Sequence, residues 1–228
     1  MKKIIMFFAM FLATVFIADA QLLVGASLEV DYGSEKEKTG NTSKDIQSTF
    51  GISLNPKIGF YLNDQSAVGI AAGVGIANMK QPGSSSDKDV KGSELSWELA
   101  PFFRYSIIDV KSLALLLESS VGIAGASYKY KSGAQTLDGT SVFHLGVSVL
   151  PVLSYSLTGN LNIEASCDIL RVGFLHSTRT TKKGEVYVSE ERQVRSVRSE
   201  DLEETTSKFG LGVNGETTPV NIGILYKF

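Results

Sequence analysis

Val220-Asn221-Ile222-Gly223-Ile224-Leu225-Tyr226-Lys227-Phe228, the last nine residues, carry the reading on which the fold depends. Successive side chains of an extended strand point to opposite faces. Val220, Ile222, Ile224, Tyr226 and Phe228 therefore share one face, and Asn221, Gly223, Leu225 and Lys227 share the other. A terminal strand so apolar on one side suits a water-soluble domain poorly. It suits a wall segment with lipid on one side and a polar barrel lumen on the other.

The same period of two runs through the rest of the chain, divided by turn signals. Predicted strands cover about 22–32, 46–62, 67–77, 94–105, 113–128, 142–157, 161–175 and 209–228. In the first, Leu22, Val24, Ala26, Leu28, Val30 and Tyr32 oppose Leu23, Gly25, Ser27, Glu29 and Asp31. Long polar connections (33–45, 78–93, 129–141 and 176–208) alternate with short ones at 63–66, near Asp109 and at 158–160. An even strand count, with both ends on the short-turn side, is the layout of an outer-membrane barrel. The fold expected is all-β: an eight-stranded antiparallel up-and-down transmembrane β-barrel. Pro56 lacks a ladder donor and predicts a bulge or frayed register in the second strand. A pattern break at Leu170-Arg171 predicts a bulge in the seventh.

Aromatic residues sort to strand ends. Phe60, Phe103, Tyr105, Tyr155, Tyr226 and Phe228 fall near the short-turn boundary, and Tyr32, Phe50, Trp97, Tyr128, Phe143 and Phe174 near the other. Two such belts are expected where amphipathic rings meet lipid headgroups.

Residues 1–20 read as a secretory signal peptide: Lys2 and Lys3, an apolar run from Ile4 to Ile17, and Ala18-Asp19-Ala20 as the cleavage site. The barrel domain is then 21–228, located in the outer membrane of a Gram-negative cell, with a long external loop at about 176–208. Without Lys2, Lys3 and Asp19, the 22 basic and 24 acidic residues become 20 and 23, a balance that argues against nucleic-acid binding. Cys167 is the only cysteine, so no intramolecular disulfide forms, and its face is shared with Ile163, Ala165 and Ile169.

From Gln21 to Phe228 the chain resembles the small eight-stranded outer-membrane barrels typified by OmpX and the OmpA transmembrane domain. It is similar to Bacteroidetes-type outer membrane β-barrel, or porin-family, proteins. The residues that carry the resemblance are Ala18-Asp19-Ala20-Gln21, Asn55-Pro56-Lys57-Ile58-Gly59-Phe60-Tyr61-Leu62 and the run from Pro219 to Phe228. The resemblance implies that the terminal aromatic strand, with Phe228 and Tyr226 supported by Ile224, is read by the barrel-assembly machinery.

Glu29, Lys57, Glu98, Arg104, Glu118, Glu164, Asp168 and Lys227 fall on inward faces. Eight strands enclose a lumen only wide enough for side chains to fill it, so these charges are expected to pair as a structural network. A water or proton path is the competing reading. His144 and His176 are the only histidines. A lipid-modifying hydrolase or acyltransferase would need His144 beside Ser148 and either Glu164 or Asp168, a grouping no motif supports. No cofactor or metal is implied.

Segment 176–208 holds seven basic and seven acidic residues in blocks, Arg192, Arg195 and Arg198 among them. It reads as a solvated loop or as a surface for an unknown extracellular partner, and the three arginines suit lipopolysaccharide phosphates. Residues 185–188 and 193–197 suit a hairpin that extends the wall, and a helix over 189–203 is the alternative. The function expected is that of a monomeric, non-enzymatic barrel with a filled lumen, contacting outer-membrane lipid and lipopolysaccharide, that supports the envelope and presents loops. A narrow channel for water, ions or very small solutes is the first alternative, and the lipid-modifying enzyme is the second. Deleting Phe228 is expected to lower the folded, heat-modifiable fraction recovered in outer membranes; an unchanged yield would contradict its role in assembly.

Overall fold

A computed structural model of the protein describes residues 21–39, 42–81, 90–132, 135–167, 172–188, 194–211 and 220–228. The segment read as a signal peptide, together with Asp168 and Arg192, lies outside the described residues.

The wall is a meander. Strands β1 (Leu22–Thr39), β2 (Thr42–Tyr61), β3 (Ser66–Gln81), β4 (Val90–Val110), β5 (Leu113–Ser132) and β6 (Gln135–Ser156) pair antiparallel in chain order. The seventh wall position is shared by β7 (Leu161–Cys167) and β8 (Val172–Thr181), both paired to β6. The eighth is shared by β11 (Leu202–Leu211), paired to β8, and β12 (Val220–Lys227), paired to β7. Closure comes from β12 and β1, in register from Leu23↔Lys227 to Val30↔Val220. The ring has eight wall positions and is an antiparallel up-and-down barrel. Between β8 and β11 lies a small hairpin of β9 (Val186–Val188) and β10 (Val194–Val197).

Local chemistry sets the short turns. Asn63 Oδ1 accepts hydrogen bonds from the backbone N–H of Gln65 (2.9 Å) and Ser66 (2.8 Å). Thr158 Oγ1 accepts from Asn160 N (3.3 Å) and Leu161 N (3.1 Å). Such Asx and Ser/Thr turns substitute a side-chain oxygen for a backbone partner. The chain ends are tied at this same rim, where Phe228 N donates to Leu22 O at 2.9 Å.

Several expectations are corrected. The described residues of the segments 33–45, 78–93 and 129–141 are strand, because β1–β2, β3–β4 and β5–β6 continue their pairing above the apolar band. The helix over 189–203, the alternative to a hairpin, is not formed by its described part, since Val194–Val197 is strand β10, paired with β9, and β11 begins at Leu202. The register between β2 and β3 is the same on both sides of Pro56, from Leu54↔Val74 to Lys57↔Ala71. Pro56 points outward at an exposed wall position and is paired with Ala26 of β1. Tyr128 is not in the outer belt: it is buried inside, packed with Met79, Tyr130, Val142 and Val186. Leu170 and Arg171, where the seventh strand was expected to bulge, lie outside the described residues, but the pairing on either side of them is out of step. Five residues separate Ser166 from Val172, while only two separate their β6 partners Val152 and Val149. That odd excess inverts parity, so Glu164 and Ser177, of unlike numbering, both face inward.

Outward positions form a continuous apolar girdle. Leu28, Leu54, Val74, Leu99, Val121, Val147, Ile163 and Ile224 are all exposed large hydrophobics, from every wall position. Water-soluble monomers rarely expose contiguous apolar patches beyond a few hundred Å². At the height of this girdle β12 is paired with both β7 and β1, so the described strands close on one another, as a hydrocarbon environment demands. A charge placed at mid-band tests this. Leu28→Arg should lower the folding free energy in lipid vesicles by roughly 2–4 kcal/mol, measured by denaturant titration. A water-bathed girdle would show no such loss.

Candidate functional site: the layered lumen

Inside the ring, four charged residues form one connected ion-pair network. Arg104 on β4 and Glu118 on β5 are direct cross-strand partners. Arg104 Nε donates to Glu118 Oε2 at 3.1 Å, and Nη2 donates to the same oxygen. Its Nη1 and Nη2 also reach Glu164 Oε1 (2.5 Å) and Oε2 (3.1 Å) on β7, a bidentate fork. Lys57 on β2 completes the set, donating to Glu118 Oε1 at 3.3 Å and Oε2 at 3.2 Å. Two cations and two carboxylates thus tie together β2, β4, β5 and β7 across the lumen. The Arg104 side chain is 2% exposed. Burial of that kind requires full pairing, since an isolated charge would lose several kcal/mol of hydration.

Phe102, two residues before Arg104 on the same inward face, backs the network. Lys57 Nζ lies 5.6 Å and Arg104 Cζ 5.8 Å from its ring centre, within cation–π range. The ring needs a smooth wall beneath it. Gly59 and Gly69 are cross-strand partners there, and a Cβ on Gly69 would stand 2.5 Å from Phe102 Cζ. Leu23, Ala67 and Leu225, with Tyr61 alongside, pack with Phe102 into an apolar layer at the short-turn end.

On the far side of the network is a cavity of about 110 Å³. Glu29, Asn55, Glu98, Ser120, Ser148 and Asn221 contribute to its lining. A polar cavity of that size has room for several waters, each needing about 10–15 Å³ of such volume. Beyond it, Met79, Tyr128, Tyr130, Val142 and Val186 form a second apolar layer. Val186 arrives from the β9–β10 hairpin, and its carbonyl accepts a hydrogen bond from Thr140 Oγ1 at 3.4 Å. Thr140 and Thr181 hydroxyls, 2.7 Å apart, pin β6 to the end of β8 beside it.

Sequence-predicted site residues divide as follows. Lys57, Arg104, Glu118 and Glu164 are brought together, and Glu29 and Glu98 line the adjoining cavity, which Lys57, Glu118 and Glu164 also border. Lys227 stands apart at the short-turn rim, with Nζ 4.6 Å from the Tyr61 ring centre. Ile224 and Tyr226 face outward, and Tyr226 meets Phe228 edge-on at 4.6 Å between ring centres. Arg195 lies on β10 and Arg198 just after it. Of the grouping considered for catalysis, Asp168 lies outside the described residues. Ser148 Oγ is 3.0 Å from Ser120 Oγ, and Glu164 is held by Arg104. His176 Nδ1 is 2.9 Å from Ser207 Oγ on β11. Among the described residues there is no group of three or more His, Cys, Asp or Glu suited to a metal ion. Phe102 was not singled out by sequence; the adjacent pair Phe102-Phe103 was the signal, because in a strand one of two neighbours must face inward.

No protein-family model matches the chain, and no curated protein matches it in sequence. Solved structures similar to it are outer-membrane proteins. OprG from Pseudomonas aeruginosa shares 10% identity over 92% of this chain and 96% of that one, with a TM-score of 0.49. Ail, the attachment invasion locus protein of Yersinia pestis, shares 12% over 92% and 100%, with a TM-score of 0.41. The outer membrane protease OmpT from Escherichia coli shares 8% over 91% and 97%, with a TM-score of 0.40. At these identities they carry no information about activity; the barrel assignment rests on the ring of pairings itself.

The network makes a directional prediction about stability. Arg104→Met strips Glu164 of the cation that grips it, leaves Glu118 with Lys57 alone, and should cost about 3–5 kcal/mol. Replacing Lys57, Arg104, Glu118 and Glu164 together by apolar residues of similar volume should recover most of that loss. Denaturant unfolding of the refolded barrel in micelles reads both; equal stability of the single variant and the wild type would contradict the pairing.

Proposed function

We propose that the protein is a non-enzymatic outer-membrane barrel, closed to solute flow, that contributes to envelope structure and presents its extracellular hairpins for surface contacts. One observation carries the reading: the Lys57–Glu118–Arg104–Glu164 network spans the lumen and is fully paired. The apolar layers on either side of it add two more barriers. The exposed apolar girdle supports the membrane location, and the hairpins that rise above it offer the contact surface. Commitment of Glu164 and Ser148 to other partners speaks against an acyl-transfer site at His144.

The polar cavity favours one second reading, a narrow path for water or very small ions. Planar-bilayer recording separates the two. The wild type should show no discrete openings. Glu185 and Arg198 lie side by side, with Arg198 N donating to Glu185 O at 2.9 Å, so a short glycine linker can replace residues 186–197. That variant should also stay silent, because the Arg104 layer remains. Adding Arg104→Ala to it should produce openings. Discrete conductance by the wild type would establish the channel reading instead.

A further inference from the structure

Above the lumen cavity, part of the inner wall is built of small residues. Strand β3 turns Gly75 and Ala77 inward, and β5 turns Gly122, Ala124 and Ala126 inward. One step higher the same two faces change to Met79 and Tyr128, and Tyr130 follows. On these strands the bore narrows abruptly at the upper apolar layer. That layer is where access from outside is decided.

One member of the layer is not supplied by the wall. Met79 belongs to β3, Tyr128 and Tyr130 to β5, and Val142 to β6; Val90, Ala126 and Leu137, packed against them, are also on wall strands. Val186 comes from β9 and is 4% exposed. Its socket is shaped without it. The Tyr130 ring lies between Gly92 and Gly139, where an added Cβ would stand 2.7 and 2.8 Å from ring carbons. Backbone on both sides therefore fixes the ring.

Strand β9 is attached differently from the wall strands. β8 pairs antiparallel with β6 from Ser141↔Thr180 to Val149↔Val172. Among the described residues, β9 meets β6 in parallel at Gly139↔Val186 only. Thr140 Oγ1 donates to Val186 O at 3.4 Å, beyond the usual range for a strong bond, and lies 2.7 Å from Thr181 Oγ1. The chain reaches β9 through a turn at 182–185, with Gly184 at φ 86°. Within it Glu185 N donates to Lys182 O at 3.0 Å and Lys182 N to Glu185 Oε2 at 2.7 Å. Lys183 N donates to Asp201 Oδ1 at 2.8 Å. These three bonds are internal to the excursion between β8 and β11, so the turn keeps its shape whether or not Val186 is seated.

A strand that meets a rigid wall through one bridge, one long hydrogen bond and one aliphatic side chain belongs among the parts of a protein that open most readily. We infer that β9 is a movable outer gate: Val186 in its socket shuts the bore, and Val186 withdrawn opens the cavity to the outside. The cavity is then a dead-end vestibule for water and for polar solutes of a few heavy atoms. The amides of Asn55 and Asn221 and the hydroxyls of Ser120 and Ser148 offer such solutes both donors and acceptors. The gate rests on the closed-barrel reading proposed above and gives its two barriers different roles. Ion pairs fix the lower barrier at Arg104, while the upper one moves.

The test uses the mature chain refolded in detergent micelles, with Cys167→Ser removing the native thiol and Ser148→Cys placing one in the cavity. Aminoethyl methanethiosulfonate is the probe, and the rate of mass increase is the readout. With Val186 in place, the cavity thiol should label to completion, but at least about tenfold more slowly than an exposed turn thiol at Ser112→Cys. Adding Val186→Asp should raise the cavity rate at least about tenfold. Val186→Ile should leave it near the rate of the Val186 chain. Heat-modifiable migration reports folding of each variant, and Val186→Ser replaces Val186→Asp if the charge prevents it. Equal cavity rates with and without Val186 would overturn the inference. Complete protection over a day would overturn it too, by showing an immovable plug, as would labelling as fast as the exposed turn thiol. Failure of the closed-barrel reading looks different: the wild type would then show discrete conductance in planar bilayers.

Discussion

Hydrocarbon offers no hydrogen-bond partner to a peptide group, and the rest of this structure follows from that constraint. Each strand must have a neighbour on both edges at membrane depth, so the sheet must close. Closure depends on the eight β1–β12 pairs from Leu23 to Val30 and on the bond from Phe228 N to Leu22 O. Above Val30 the demand lapses. There β1 continues with β2 as its partner and β11 continues with β8, with no β1–β11 pairing among the described residues. Water can satisfy those upper edges.

Closing eight strands brings opposite walls within side-chain reach, and this explains the interior. A charge on one wall position meets residues three positions away, as Lys57 meets Glu118 and Arg104 meets Glu164. Room for these long side chains comes from the small inward residues of β3, where Gly69, Ala71, Gly73 and Gly75 stand in sequence. Apolar layers lie above and below, and a cavity lined by both polar and apolar residues lies between them. The lumen is thus stratified along its axis, with each stratum satisfying its own polar or apolar requirement.

The outside is stratified too, for a different reason. Lipid imposes an apolar girdle, and aromatic residues such as Trp97 and Phe143 lie toward its upper part with Tyr105 and Tyr155 toward its lower part. Exposed lysines then appear above the girdle on β3, β4 and β5, where Met79 and Tyr130 fill the inner face of the same wall. Inside and outside are set residue by residue along one strand, because adjacent side chains alternate between two solvents.

Strand number, wall alternation and the inward or outward sense of Glu29, Lys57, Arg104 and Glu118 were legible in the chain alone, since a period of two in a single strand encodes them. Hairpin length was not, because 33–45 has almost no apolar residue and 129–141 has only Tyr130 and Leu137 as large apolar residues, too few to show the alternation that marks a strand. The inward turn of Tyr128 was missed because an aromatic near a strand end suits either a belt or a core. Which charges meet, and that Glu29 and Glu98 face a cavity while Glu164 grips Arg104, was decided only by tertiary structure. Pattern along a strand determines its two faces, whereas contacts across a lumen depend on the register of every strand between them, and no local signal carries that sum.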